Sequence, residues 1–299
     1  MKIGLGLPIE DIDGVAMPYP VIREMARLAE ADGLDSIWVY DHLLFRADGE
    51  TTGIHECWTL LSALAEATGR VELGTLVMCT EFRNPALLAK MAATLDHVSG
   101  GRLILGLGCG WHDPEYEAFG YPTDHKVGRF DDSITIIHSL IRDGRADHEG
   151  RFHSVKDLVL LPPARPDMPI LVAAKRPRMM DLTARYADAW NLAWFGMPSE
   201  RLVDARADLE AACARMGRDP ATLEVTVGVE IRFADVATTP PEGSGLSPAP
   251  LPGDEPTIVE AFRAYEALGA SHLIVVLDPS TPETTSRLDA AVATYRRAR

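Results

Sequence analysis

Eight short apolar runs alternate with eight helical periods along this 299-residue chain, and that alternation constrains the fold more than any single motif. The runs at 2–7 (KIGLGL), 36–41, 71–78, 102–108, 169–174, 189–194, 223–231 and 272–278 have the length and composition of buried strands. Residues 20–31, 57–68, 85–98, 128–142, 178–187, 199–216, 257–267 and 283–298 carry apolar positions at helical spacing. Three joins, "AEADGLDSIWVYD", "ARYADAWNLAWF" and "YEALGASHLIVVLD", pass from helix to strand through a few small residues, as in a repeated βα unit. Strict alternation calls for a parallel sheet covered by helices. Eight units call for closure into a single-domain (β/α)8 TIM barrel over 1–299, a fold of typically ~250 residues. A doubly wound open sheet is the runner-up. The surplus lies in two insertions. Residues 143–168, after the fourth helix, read as a hairpin followed by a proline-rich stretch. Residues 236–256, after the seventh strand, are rich in Pro and Gly and form either a lid or a surface insertion.

Composition removes several function classes. A formal charge of −15 supplies no global basic field for nucleic acid or an anionic membrane. No run approaches the ~18–20 apolar residues of a membrane span, and the first apolar run is too short for a signal peptide. Cys57, Cys79, Cys109 and Cys213 form no CxxC, so reduced thiols and a cytoplasmic location are expected. Gly106-x-Gly108 meets Trp111 where a dinucleotide fingerprint needs its third glycine, and Gly4 and Gly6 fail in the same way. There is no GxSxG, Walker lysine motif or HExxH. His55–Glu56 and His112-x-x-Glu115 stand isolated, so no metal site is expected.

Three features point to chemistry. In "GRLILGLGCGWHDPEYEAFGYP" (101–122), Gly106, Gly108 and Gly110 clear one face of a strand end. Either a flat group lies against that backbone or a bulge there eases barrel closure. Asp41 and His42 end the second strand on the face where barrel active sites form. They read as a proton-handling pair in which Asp41 fixes the imidazole tautomer, or as a buried carboxylate orienting a structural histidine. Lys175, Arg176 and Arg178 cluster at a helix start, where cations oppose the helix dipole. A bound anion explains them; unpaired surface charge is the alternative.

The block "GTLVMCTEFRNPALLAKMAATLDHVSGGRLILGLGCGWHDPEYEAFGYP" resembles the luciferase-like monooxygenases, (β/α)8 enzymes that use FMN or the deazaflavin coenzyme F420. "VYDHL" (39–43) and "PILVAAKRPRMMDLTARYADAWN" (169–191) extend the resemblance over nearly the whole chain. It implies a non-prolyl cis peptide at Leu76–Val77 behind the cofactor ring, with Gly108, Cys109 and Gly110 bordering it. It implies a phosphate-holding turn from Ala174 through Lys175, Arg176 and Arg178 to Met179, although Ala173 and Ala174 stand where the family commonly has glycines. His42 falls near the reactive ring carbon, beside Asp41. The implied activity is F420-dependent hydride transfer to or from a small organic substrate, by a homodimer. The alternatives are an FMN-dependent monooxygenase fed by a separate reductase, and a flavin-binding protein without catalysis. Trp38, Trp111, Trp190 and Trp194 read as core rather than pocket, though Trp111 and Trp194 fall near strand ends.

Overall fold

The computed structural model describes residues 1–12, 14–47, 49–237, 246–247 and 249–297. Eight parallel strands close on themselves: β1 Lys2–Gly6, β2 Ser36–Val39, β3 Glu72–Thr75, β4 Leu103–Gly108, β5 Ile170–Ala173, β6 Ala189–Phe195, β7 Glu224–Arg232 and β8 His272–Asp278. Each pairs with the next, and β8 returns to β1 through Lys2↔His272 and Gly4↔Ile274. The closed barrel replaces the open-sheet alternative.

Nine helices lie among the described residues: α1 Tyr19–Ala31, α2 Cys57–Ala67, α3 Pro85–Val98, α4 Asp113–Phe119, α5 Lys126–Asp143, α6 Pro177–Tyr186, α7 Glu200–Met216, α8 Glu255–Ala267 and α9 Pro282–Arg297. Their starts follow local chemistry. The Asn84 side chain accepts from the amides of Ala86 (3.0 Å) and Leu87 (3.2 Å), and Pro85 takes the first helical position of α3, where no amide is needed. The apolar helix faces and the outward faces of the strands make one continuous core.

The insertion after α5 is the expected hairpin, Arg145–Glu149 against Ser154–Val159. After β7, Leu251–Pro252 adds alongside Ile231 and Arg232. The centre of that insertion, residues 238–245 and 248, lies outside the described residues. Three elements carry no periodic signal and were not foreseen: α4, the hairpin Leu44–Ala47/Glu50–Gly53, and the small pair Asp11–Ile12/Val15–Ala16. All of them sit on loops that leave the C-terminal ends of strands, where the active sites of such barrels are built.

Candidate active site

Trp38, Ile104, Leu171, Ala189 and Ile274 form a small cluster inside the barrel, with Leu76 and Val77 packed against it. This cluster marks the inward-facing line of five strands. On β4 and β5 the same lines continue to Gly106, Gly108 and Ala173; on β1 Gly6 follows Gly4, the neighbour of Ile274, and on β7 Gly228 stands level with Ile274. Small residues thus line part of the barrel interior, whereas β6, β7 and β8 continue inward with Asn191, Glu230 and Val276.

The cleared space is not bare. A Cβ on Gly106 would lie 1.9 Å from the Thr75 carbonyl oxygen, and one on Gly108 would lie 2.7 Å from Val77 Cγ2. Gly110 has φ +68°, and a Cβ there would stand 1.9 Å from the Tyr116 hydroxyl. The three glycines thus admit the chain's own bulge at the end of β3 and the ring of Tyr116. The space that Gly106 and Gly108 clear is occupied by Thr75 and Val77 of the chain itself. The peptide Leu76–Val77 is cis, as the resemblance implied. A second non-prolyl cis peptide, Ala193–Trp194, occupies the irregularity in β6. Trp194 there fills the space that Gly228 leaves.

Asp41 and His42 do not form the expected pair. Asp41 is buried and makes a two-pronged ion pair with Arg83, Nη1 to Oδ2 at 2.7 Å and Nη2 to Oδ1 at 3.1 Å. Its Oδ2 also accepts from the Cys79 amide at 3.0 Å. Arg83 reaches on to Glu56, which caps α2 through the amides of Trp58 and Thr59. Burial raises the Asp41 carboxyl above its ordinary range, against the opposing charge and hydrogen bonds of Arg83. Asp41 therefore ties the end of β2 to the chain just beyond the Leu76–Val77 bulge.

His42 instead turns to Glu115, on α4. Its Nδ1 stands 2.8 Å from Glu115 Oε1, while Glu115 Oε2 accepts from the Leu43 amide at 2.8 Å. Glu115 is buried, at 1% exposure. With both carboxylate oxygens engaged as acceptors, His42 Nδ1 carries a proton and donates it to Glu115 Oε1. His42 Nε2 has no hydrogen-bond partner among the described residues. In the sequence His112-x-x-Glu115 stands isolated and gives Glu115 no role; its signal is an acidic residue in the first turn of a helix beyond a glycine-rich strand end.

Rings surround this histidine. Phe45 lies 4.3 Å from the His42 ring centroid, Trp111 5.6 Å and Tyr40 6.0 Å. His112 Nε2 accepts from the Arg46 amide at 3.0 Å and fastens the 44–53 hairpin to α4. Burial lowers the His112 pKa, which suits a neutral acceptor. Trp111 is 67% exposed. Cys109 presents its carbonyl to the Tyr116 hydroxyl at 2.9 Å, and burial pushes its thiol up, so it is no ready nucleophile.

The 174–179 turn opens α6 on the same face of the barrel. Arg176 is its N-cap residue, without a side-chain cap, and Pro177 follows, so the amides of Arg178 and Met179 lack helical partners. The side chains of Lys175 and Arg176 make no hydrogen bond or ion pair with any described residue. Arg178 is partly neutralised by Asp131 at 3.2 Å. Ala174 and the Met179 side chain are buried, so only backbone at those two positions faces the turn. The described residues contain no cluster with metal-ligand potential and no helix long and apolar enough to cross a membrane.

A sequence model of the luciferase-like monooxygenases matches residues 1–238. The chain belongs to this family. It is 33% identical over 247 residues to a phthiodiolone/phenolphthiodiolone dimycocerosates ketoreductase of Mycobacterium sp. (strain JLS), covering 73% of this chain and 62% of that protein. It is 31% identical over 241 residues to the pyrimidine monooxygenase RutA of Rhizobium rhizogenes, covering 73% and 64%. The chain thus spans under two thirds of the length of these curated relatives. Among solved structures, an F420-dependent secondary alcohol dehydrogenase in complex with an F420–acetone adduct superposes with a TM-score of 0.81. That match covers 98% of both chains at 17% identity, a likeness of fold. Membership supports an oxidoreductase or monooxygenase of the flavin or F420 type.

Proposed function

We propose that the protein moves a hydride between coenzyme F420 and a small organic substrate, with His42 handling the accompanying proton. One observation carries this reading: a histidine at the barrel mouth whose Nδ1 is held by a buried carboxylate at 2.8 Å and whose Nε2 is left free. A fixed tautomer with one open nitrogen suits proton exchange at a substrate oxygen.

The residues at the mouth fit a deazaflavin. Lys175, Arg176 and the open amides of Arg178 and Met179 would hold its phosphate. Leu76, Val77, Gly108, Cys109 and Gly110 would border its ring, with the Leu76–Val77 bulge as a backing. Bound there, the deazaflavin supplies hydride donor and acceptor chemistry. Glu115 orients the His42 ring and places a counter-charge beside it. Asp41, through Arg83 and the Cys79 amide, fixes the bulge and acts as a positioning residue. The phenyl and indole rings beside His42 shed water from the site.

The FMN-dependent monooxygenase reading, with reduced flavin from a separate reductase, draws support from the 31% identical pyrimidine monooxygenase. A cytoplasmic homodimer completes the proposal. Exposed Leu87 and Val98 on α3 offer the partner an apolar face.

Tryptophan-fluorescence titration with F420 and with FMN tests the cofactor, and His42→Asn tests the proton route. Tighter binding of F420, with kcat falling by ~10²–10⁴ in the variant at similar cofactor affinity, is expected. Binding of FMN alone, or an unchanged rate in His42→Asn, overturns the reading.

A further inference from the structure

An aromatic rim next to the free Nε2 of His42 is more than packing requires. Trp111 is 67% exposed, although the loop that carries it is anchored on both sides, by Tyr116 to Cys109 and by His112 to the Arg46 amide. Phe45 stands 5.9 Å from Trp111 with 42° between the ring planes, and 4.3 Å from His42 with 39° between them. Trp111 and His42 meet nearly edge-on, at 78°. Two aromatic rings, Phe45 and Trp111, thus pack around the His42 ring, on loops that follow the second and fourth barrel strands. An exposed indole held by an ordered loop exposes apolar area to water in the absence of a ligand, and such patches mark binding sites.

The geometry points to a substrate class: a flat, unsaturated or aromatic molecule that carries a hydroxyl or carbonyl group, its ring against Trp111 and Phe45 and its oxygen at His42 Nε2. This inference rests on the proposed function for the role of His42 and for the place of the cofactor ring. Shape and chemistry of the rim supply the rest. Indole and phenyl faces reward a π-system with contacts that a puckered ring of equal size cannot make. The rings of the rim belong to residues other than Leu76 and Val77, against which the cofactor ring is proposed to sit.

Ligand-observed NMR titration, with and without F420, compares 1-phenylethanol with 1-cyclohexylethanol, which share the hydroxyl and the carbon count. The phenyl compound should bind about 3–10-fold more tightly to the parent. Trp111→Ala should bring the two within about 2-fold, and Trp111→Phe should keep most of the preference. Trp111 is exposed, so neither variant threatens the fold. Equal affinities in the parent overturn the inference, as does a preference that survives Trp111→Ala. Weaker F420 binding in Trp111→Ala, with the ligand ratio intact, also overturns it and gives the rim to the cofactor. Because binding is read without turnover, a clear phenyl preference in a protein that transfers no hydride would sink the proposed function and leave the substrate class standing.

Discussion

Two buried ionisable groups should give this barrel opposing pH dependences that nearly cancel. His272, at the start of β8, is buried with Nε2 2.8 Å from Ser36 Oγ, which also accepts from Trp38 Nε1 at 2.7 Å. Burial, with lesser repulsion from Lys2 and the N-terminal amine, lowers its pKa to about 3. In the unfolded chain a histidine titrates near ~6.5, so there the unfolded state binds the extra proton and stability falls as pH drops below that value. At ~1.36 kcal/mol per unit, lowering the pH from 7 to 5 should remove about 2 kcal/mol. Asp289 on α9 works in reverse. It is buried, neither carboxylate oxygen has a hydrogen-bond partner among the described residues, and burial followed by the neighbouring Asp32 raises its pKa to about 8. The folded state keeps that proton while the unfolded chain, with a pKa near ~3.9, has lost it. The same drop in pH should therefore add about 2.5 kcal/mol. Urea denaturation at both pH values reads the two contributions against the parent: relative to the parent, His272→Gln should gain stability on going from pH 7 to pH 5, and Asp289→Asn should lose it. The difference between pH values is the readout, so loss of packing in either variant does not confuse it. Identical pH responses in parent and both variants would refute the argument.

Glu115→Gln should keep the fold but lower kcat by ~10-fold or more, because the neutral amide no longer enforces the Nδ1–H tautomer; an unaltered kcat and pH profile would make Glu115 structural only. Lys175→Gln with Arg176→Gln should weaken cofactor binding by ~1.5–3 kcal/mol while leaving the cofactor-free Tm within a few degrees, and equal dissociation constants would move the phosphate elsewhere. Gly106→Ala should fail to fold, since its Cβ would meet a backbone carbonyl at 1.9 Å. Gly108→Ala should be mildly destabilised and rescued by Val77→Ala, and additive effects in that pair would refute the contact at 2.7 Å.

The architecture was legible because it is written locally. Each βα unit announces itself by an apolar run, a helical period and a small-residue joint, and eight such units leave closure as the natural arrangement. The basic turn at 175–178 and the location of His42 at a strand end could likewise be read from neighbours in the chain. The partners of the functional groups could not. Asp41 sits next to His42 in sequence, yet successive residues at a strand end point in different directions, and each found its hydrogen-bond partner across a loop. Arg83 took the one, 42 residues on, and Glu115 the other, 73 residues on. The glycines show the same division. The chain alone shows that Gly106 and Gly108 clear a face. Only the folded barrel decides what fills it, because the β3 bulge reaches that space through strand pairing rather than through any pattern in the glycine run itself.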